Sequence, residues 1–598
     1  MFRYVALQWN VADAEASGAA DQFAQRLQHE IPGWTRVLSK SGLVVFVTGG
    51  DRGACTTYPL GEGVVVGTLF RLRDTEEGQF HLDLDSAQRA AILESGGREL
   101  VSAYWGRYVA FLHNAHVDET LILRDPTGAM PCLWVASQGV RIFCSLFEDC
   151  LRLAPLRFSI NWAMVAIRLS VALLHSEQCE LNEVSELRAG ECIRIARDSC
   201  SRNFYWNPVN VAHAGRIEDT SLATAEILRT TRMCVQAWAS RYRGIVHYLS
   251  GGLDSAIVLA ALERVRGQTP VCALNYYSPG ADGDEREFAR VAAQRFGCVL
   301  LEQERSPTVD LRGILRARRT TGPRSLYVRL EASQHEARVA LSTGSDGIFS
   351  GDGGDVLFFR TPGTLAAVDF VCDHGVGAHA LEVGLNAACL DEVSFWTVLR
   401  AMWRYGVKGE KRHSLVEQRL DWGAVSAEVV EAVTRRGDFV HPWFRNRDEL
   451  PPGKLSQAFL LSFASDFDDP LGNDDQPEHA CPLLSQPLVE LCLRIPTYVL
   501  APGPQDRMLA RRAFAADLPA QILHRPTKGG MARHVSDVLD YNRVFIREFL
   551  LDGVLVKQQL LDREKLVDAL SSKPSHEKYW APDVFEYVGI ESWARCWV

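Results

Sequence analysis

The residues best suited to chemistry lie in two glycine-rich strings. The first is Leu249-Ser250-Gly251-Gly252-Leu253-Asp254-Ser255. It follows Gly244-Ile245-Val246-His247-Tyr248, which reads as a short buried strand, and it precedes residues 256–262, which read as the start of a helix. A strand, a tight turn and a helix N-terminus leave backbone N–H groups unpaired and aim the positive end of the helix dipole at one spot, so an anion fits there. Gly251 and Gly252 carry no Cβ and let the backbone approach a phosphate closely. Asp254 would repel a bare phosphate; it makes sense with a divalent cation between carboxylate and phosphate. Ser250, Gly251, Gly252, Asp254 and Ser255 are therefore candidate residues for a magnesium–pyrophosphate group. The second string, Ile348-Phe349-Ser350-Gly351-Asp352-Gly353-Gly354-Asp355, also follows a strand-like segment. Asp254 and Asp355, at two strand ends, can together hold one magnesium ion against one pyrophosphate.

The first string lacks the G-x-x-x-x-G-K-[ST] spacing of a Walker loop. It resembles instead the PP-loop of the N-type ATP pyrophosphatases, which split ATP between the α and β phosphates and adenylate a substrate. The resemblance narrows to the asparagine synthetase family. By match to that family, Asp254 and Asp355 are the metal ligands, and Leu249, Leu274, Ser350 and Gly351 fall at positions that contact the nucleotide. At the place of Asp352, ammonia-using asparagine synthetases have glutamate and β-lactam synthetase has tyrosine. Asp352 could take a proton from an attacking amine or could only brace its loop. The C-terminal part, from Glu478-His479-Ala480-Cys481-Pro482 to Arg525-Pro526-Thr527-Lys528-Gly529-Gly530, is similar to the end of the family's synthetase domain. Lys528 matches the catalytic lysine there, which would stabilise charge on the pentavalent transition state and on leaving pyrophosphate. Ala480 and Ser485 stand where the family usually has arginine and aspartate, which implies a substrate other than aspartate.

These residues need a scaffold. Strand-like and helix-like segments alternate after residue 218, as in a doubly wound parallel sheet, whose ligands bind at the carboxyl ends of the strands. Residues 1–207 read as β-rich. Tyr104–Leu112, Leu121–Gly128, Pro131–Trp134 and Arg141–Ser145 form strands joined by turns, with Arg124-Asp125-Pro126-Thr127-Gly128 at one of them. That run is similar to the glutaminase-type N-terminal domain of asparagine synthetases. The expected fold is thus α/β: a glutaminase-like, Ntn-type αββα domain over 1–207 and a PP-loop ATP pyrophosphatase (adenine nucleotide α-hydrolase-like) synthetase domain over 208–598, with 208–218 as a linker. A working class II glutaminase attacks glutamine with an N-terminal cysteine. Position 2 is Phe2 and the nearest cysteine is Cys55, so the domain is expected to be unable to release ammonia. The acid-rich stretch 462–469 reads as a solvated helix end or loop.

The chain has 598 residues, 47% hydrophobic and 23% charged, which is ordinary for a globular protein of two to four domains. A net charge of −10 argues against a nucleic acid partner. The 15 cysteines are scattered without a CxxC pair, which suggests buried thiols in a reducing compartment. No secretion signal or membrane span is read, and a cytoplasmic location is expected. The absent cysteine nucleophile, the Ser-Gly-Asp-Gly-Gly-Asp loop and the Arg-Pro-Thr-Lys-Gly-Gly tail together resemble the isopeptide-bond-forming cyclases of lasso peptide biosynthesis. The resemblance implies ATP and Mg2+ as cofactors and a leaderless core peptide as substrate. It implies a leader peptidase and a leader-binding protein as partners in the same pathway. Another amide-forming synthetase of the asparagine or β-lactam type, or a non-catalytic ATP-binding scaffold, are the alternatives.

Overall fold

The computed structural model describes residues 2–49, 54–72, 80, 82–154, 156–170, 178–197, 199–265, 267–280, 283–324, 327–360, 362–410, 423–436, 441–445, 449–462, 476–525, 529–571 and 580–598. The N-terminal part is two six-stranded sheets, antiparallel in every described pairing. One runs Val184–Glu186, Leu133–Ser137, Val140–Cys144, Arg3–Trp9, Leu43–Thr48, Thr35–Lys40. The other runs Cys200–Phe204, Glu191–Ile195, Glu119–Arg124, Tyr104–Asn114, Gly63–Arg71, Thr56–Pro59. Their facing sides form one apolar layer that includes Tyr4, Phe111, Phe143 and Ile193. The outer faces are covered by helices, among them Ala14–Gln25 and Phe147–Leu153 on the first sheet and Ser86–Glu94 on the second. This is the expected αββα sandwich. Valine-rich strands such as Gly63–Arg71 read as near-continuous apolar runs because both of their faces are covered.

The Arg124–Gly128 turn proves to be a structural knot. Asp125, fully buried, accepts hydrogen bonds from the Thr127, Ala129 and Met130 amides and from the Thr127 hydroxyl. Arg124 donates to the carbonyls of Gly128, Met130 and Leu187. The turn's three exposed-looking polar residues are therefore consumed in holding two strands together.

The C-terminal part contains a five-stranded parallel sheet in the order Val299–Glu304, Val271–Tyr277, Ile245–Tyr248, Gly347–Phe349, Glu478–Ala480. The first three strands add in one direction and the fourth pairs on the opposite side of Ile245–Tyr248. The order thus reverses between Ile245–Tyr248 and Gly347–Phe349, and that reversal opens a crevice at their carboxyl ends. Helices Thr220–Ala239 and Leu253–Leu262 pack on the sheet, and further helices from Gly363–His374 to Trp580–Arg595 extend the body. No helix of the described residues is long and apolar enough to cross a membrane. Residues 208–218, expected as a linker, include the helix Pro208–His213, started by proline at its first turn and by the Asn207 side chain capping the Val209 amide.

The two parts share one apolar cluster. Trp238 packs edge-on against Phe70 and Trp105, and Trp206 against Trp443. Polar ties reinforce it: Trp206 donates to Glu490 at 2.8 Å, and Gln486 to the Val101 carbonyl at 2.9 Å.

Candidate active site

Both glycine-rich strings emerge at the crevice. The strands that feed them are parallel neighbours, with His247 opposite Phe349, so the loops leave the sheet side by side. The first loop turns at Gly251, whose φ of +79° suits glycine, and a Cβ there would sit 2.8 Å from Phe288 Cβ and 2.9 Å from the Ala289 nitrogen. The helix Leu253–Leu262 starts directly after, with Asp254 in its first turn. The loop is tied internally. Ser255 Oγ donates to the Gly252 carbonyl at 3.1 Å and lies 3.2 Å from Ser250 Oγ. Beneath it His247, fully buried, lies 2.8 Å from the Ser255 carbonyl. Burial lowers its pKa to about 4, so the ring is neutral at pH 7.

The second loop rests directly on the first. A Cβ at Gly351 would meet the Ser255 nitrogen at 2.6 Å, and one at Gly354 would meet Asp254 Cγ at 2.6 Å. Only glycines permit this approach, which brings Asp355 beside Asp254. Asp352 points its carboxylate at its own loop: Ser350 Oγ donates to it at 2.8 Å. Of the two roles open to Asp352, bracing is the one with a partner in place.

The walls of the cleft are Tyr248, Ser250, Gly252, Asp254, Ser255, Ser350, Gly351 and Asp352 on the sheet side, and Arg507, Arg511 and Arg525 opposite, around a cavity of about 140 Å3. Ten of the twelve residues singled out by sequence gather in these two loops and the strand ends that carry them. Leu249 and Leu274 are buried in the sheet, joined by a 2.9 Å bond from the Leu249 amide to the Leu274 carbonyl, and set the level of the first loop. Lys528 and residues 463–469 lie outside the described residues.

The sequence placed these arginines in the C-terminal motif without giving them a role of their own. Arg507, 5% exposed, donates from Nη1 to Asp254 Oδ2 at 2.6 Å and to Asp355 Oδ1 at 2.5 Å. Arg525 reaches the Gly251 carbonyl at 3.2 Å, stacks over Phe288 and pairs with Glu285 at 2.6 Å. The Gly529 amide donates to the same Glu285 at 2.9 Å. Arginines at wide sequence separation carry no local spacing signal, so only the assembled sheet shows where they converge. Tyr248 donates from its hydroxyl to the buried Glu336, which also lies 3.2 Å from His479.

The residues fit a divalent cation. Two hard carboxylate oxygens already converge on one positive group. Two carboxylates leave most of magnesium's six oxygen positions to phosphates and water, as is usual for nucleotide-bound magnesium.

The N-terminal part holds a second cavity, of about 160 Å3, against the synthetase sheet. Phe2 and Cys55 lie in its wall with Arg3, Arg107, Arg124 and Glu478. Burial pushes the Cys55 thiol up, against the pull of Arg107 at 3.2 Å. Glu478, retained from the family's C-terminal motif, does not face the cleft. It bonds Arg107 at 2.7 Å, the Ala54 amide at 3.1 Å and the Tyr242 hydroxyl at 3.4 Å, and so joins the two parts of the chain. Ser485 is likewise structural, accepting from Trp238 Nε1 at 3.0 Å.

Comparison with known proteins agrees with this architecture. Residues 230–370 and 466–595 match the family model described as asparagine synthase, and residues 71–206 match that of a glutamine amidotransferase domain. No curated protein matches the chain. Among solved structures, one described as the allosteric regulatory enzyme of purine biosynthesis is 12% identical over 51% of this chain and 81% of its own, with a TM-score of 0.21. Glutamine phosphoribosylpyrophosphate amidotransferase from B. subtilis is 11% identical over 58% of this chain and 90% of its own, also with a TM-score of 0.21. The chain thus carries a region similar to asparagine synthase behind a region similar to a glutamine amidotransferase domain.

Proposed function

We propose that this asparagine synthetase-like ligase closes a macrolactam ring in a lasso peptide. In the first half-reaction a side-chain carboxylate oxygen of an Asp or Glu in the core peptide attacks the α-phosphorus of ATP; the α–β bridge breaks and pyrophosphate leaves. In the second, the peptide's N-terminal amine attacks the acyl-adenylate carbon; the C–O bond to AMP breaks, the amide forms and one proton is released. The first loop's N–H groups and Ser250 and Ser255 bind the phosphates, and Asp254 and Asp355 hold the metal. Bound magnesium would screen the polyphosphate and stabilise the leaving pyrophosphate. Lys528 is proposed to add charge at the α-phosphorus; its described neighbours Arg525 and Gly529 are both fastened to Glu285 beside the first loop.

The observation that carries the reading is the pairing of an assembled nucleotide cleft with an amidotransferase-type pocket walled by Phe2 and a buried, protonated Cys55. A cleft suited to activation beside a pocket walled by Phe2 supports an acceptor amine that comes with the substrate. An α-amine, with a pKa of about 8, is partly neutral at pH 7 and needs little help from a base. Threading is an entropic problem that binding can solve by proximity. Replacement of the family's arginine by Ala480 removes a fixed cation that a small acidic substrate would use. The test is isotope exchange between pyrophosphate and ATP. Exchange should require a core peptide, should not be supported by free aspartate, and should be lost in Lys528→Ala; aspartate-dependent exchange would return the chain to the asparagine-forming class.

A further inference from the structure

Arg507 occupies the point at which a cation would join the two metal-binding carboxylates. Its Nη1 lies 2.6 Å from Asp254 and 2.5 Å from Asp355, while Nη2 lies 2.9 Å from Asp506. Asp506 in turn receives Arg511 at 2.6 Å and Arg360 at 3.4 Å, and Arg360 also lies 3.4 Å from Asp355. The backbone of Arg507 is itself held in the left-handed region, at φ +50°, which a β-carbon disfavours. A strained residue buried among three carboxylates is over-determined by its surroundings: the fold spends conformational energy to keep this guanidinium here. Without a cation, Asp254 and Asp355 would repel. With Arg507 between them, both carboxylates are held on one positive point.

We propose that Arg507 is an internal counter-ion that stands in for the metal and sets the order of loading. It is a positioning residue, and the inference rests on Asp254 and Asp355 being the metal ligands. A divalent ion alone must displace a charge-assisted guanidinium and so binds weakly. An ion arriving with a nucleotide brings phosphate oxygens that complete its shell, and Arg507 withdraws onto Asp506. The site therefore admits metal and nucleotide together, and bare metal poorly.

The test uses Mn2+ as probe, with free Mn2+ read by electron paramagnetic resonance and no peptide present. Wild-type protein should bind Mn2+ alone weakly. Arg507→Met should bind it at least about tenfold more tightly, and Arg507→Lys, which keeps the charge, should remain close to wild type. Equal or weaker binding in a folded Arg507→Met protein overturns the proposal. Should that variant fail to fold, the wild-type protein still decides. Mn2+ with a non-hydrolysable ATP analogue should raise the melting temperature and Mn2+ alone should not; equal stabilisation by both overturns the proposal. Failure of the underlying metal assignment has its own signature, in which Asp355→Asn leaves Mn2+ binding with the analogue unchanged.

Discussion

Two cavities of similar size lie against one parallel sheet, and they are built on opposite plans. In the cleft over the two glycine-rich loops, acids converge: Asp254 and Asp355 share one cation, and glycines let two backbones touch. In the N-terminal cavity the acids are dispersed. Glu478 is matched to Arg107, and Glu186 to Arg124 and Arg188. The cysteine there sits under apolar cover that keeps it protonated. A polar lining alone does not make a reactive site. Reactivity needs like charges forced together, or a nucleophile with a base, and only the first cavity has such a conflict for substrate binding to resolve.

The contrast can be broken most sharply at Asp254. Asp254→Ala should lower peptide-dependent AMP formation by at least about 10^3-fold while circular dichroism stays native; activity within tenfold of wild type would move the metal site elsewhere. In the other cavity the expected loss is of stability. Arg107→Met leaves Glu478 buried without its guanidinium and should cost about 3 kcal/mol or more in denaturant unfolding, with the nucleotide cleft retaining its affinity if the protein is assayed folded. Gly354→Ala tests the packing of the loops. The new Cβ meets Asp254 at 2.6–2.7 Å, so about 1–3 kcal/mol of stability and most of the nucleotide affinity should be lost together, as read by calorimetry.

A smaller effect comes from His247. Its folded pKa of about 4 lies below the 6.5 of an unfolded histidine, so the unfolded chain binds the extra proton first. Stability from this group is intact above about pH 6.5 and falls as pH drops toward 4, with a slope approaching about 1.4 kcal/mol per pH unit. Urea midpoints across that window should flatten in His247→Gln. Smallest of all, Cys55→Ala should change amide formation by less than about twofold, because a protonated thiol is no nucleophile; a large loss would restore a catalytic role to the N-terminal cavity.

The two halves also differed in how far their sequence could be read. Strand–glycine–helix punctuation marked both phosphate loops, and valine runs marked the strands of the N-terminal sandwich, because local periodicity and turn chemistry determine both. The places of Arg507, Arg511 and Arg525 were not readable in this way; their contacts arise from a crossover that returns residues some 250 positions later to the first loop. The Arg124–Gly128 turn and Glu478 were visible as motifs, yet their polar atoms are spent on structure. A sequence motif shows that residues are needed together without showing whether they face a ligand or one another. The short helix Pro208–His213 inside the expected linker shows the same limit, since one turn and a half is too short for a periodic pattern to declare itself.

The central claim is that the activated carboxylate and the attacking amine belong to one peptide. The most direct measurement is mass spectrometry of a synthetic core peptide incubated with the enzyme, ATP and magnesium. The expected product is the peptide lighter by one water, with one AMP and one pyrophosphate released from ATP per ring closed, and none should form when the peptide's N-terminus is acetylated. An unchanged peptide, alongside AMP formation that requires ammonia and free aspartate, would contradict it.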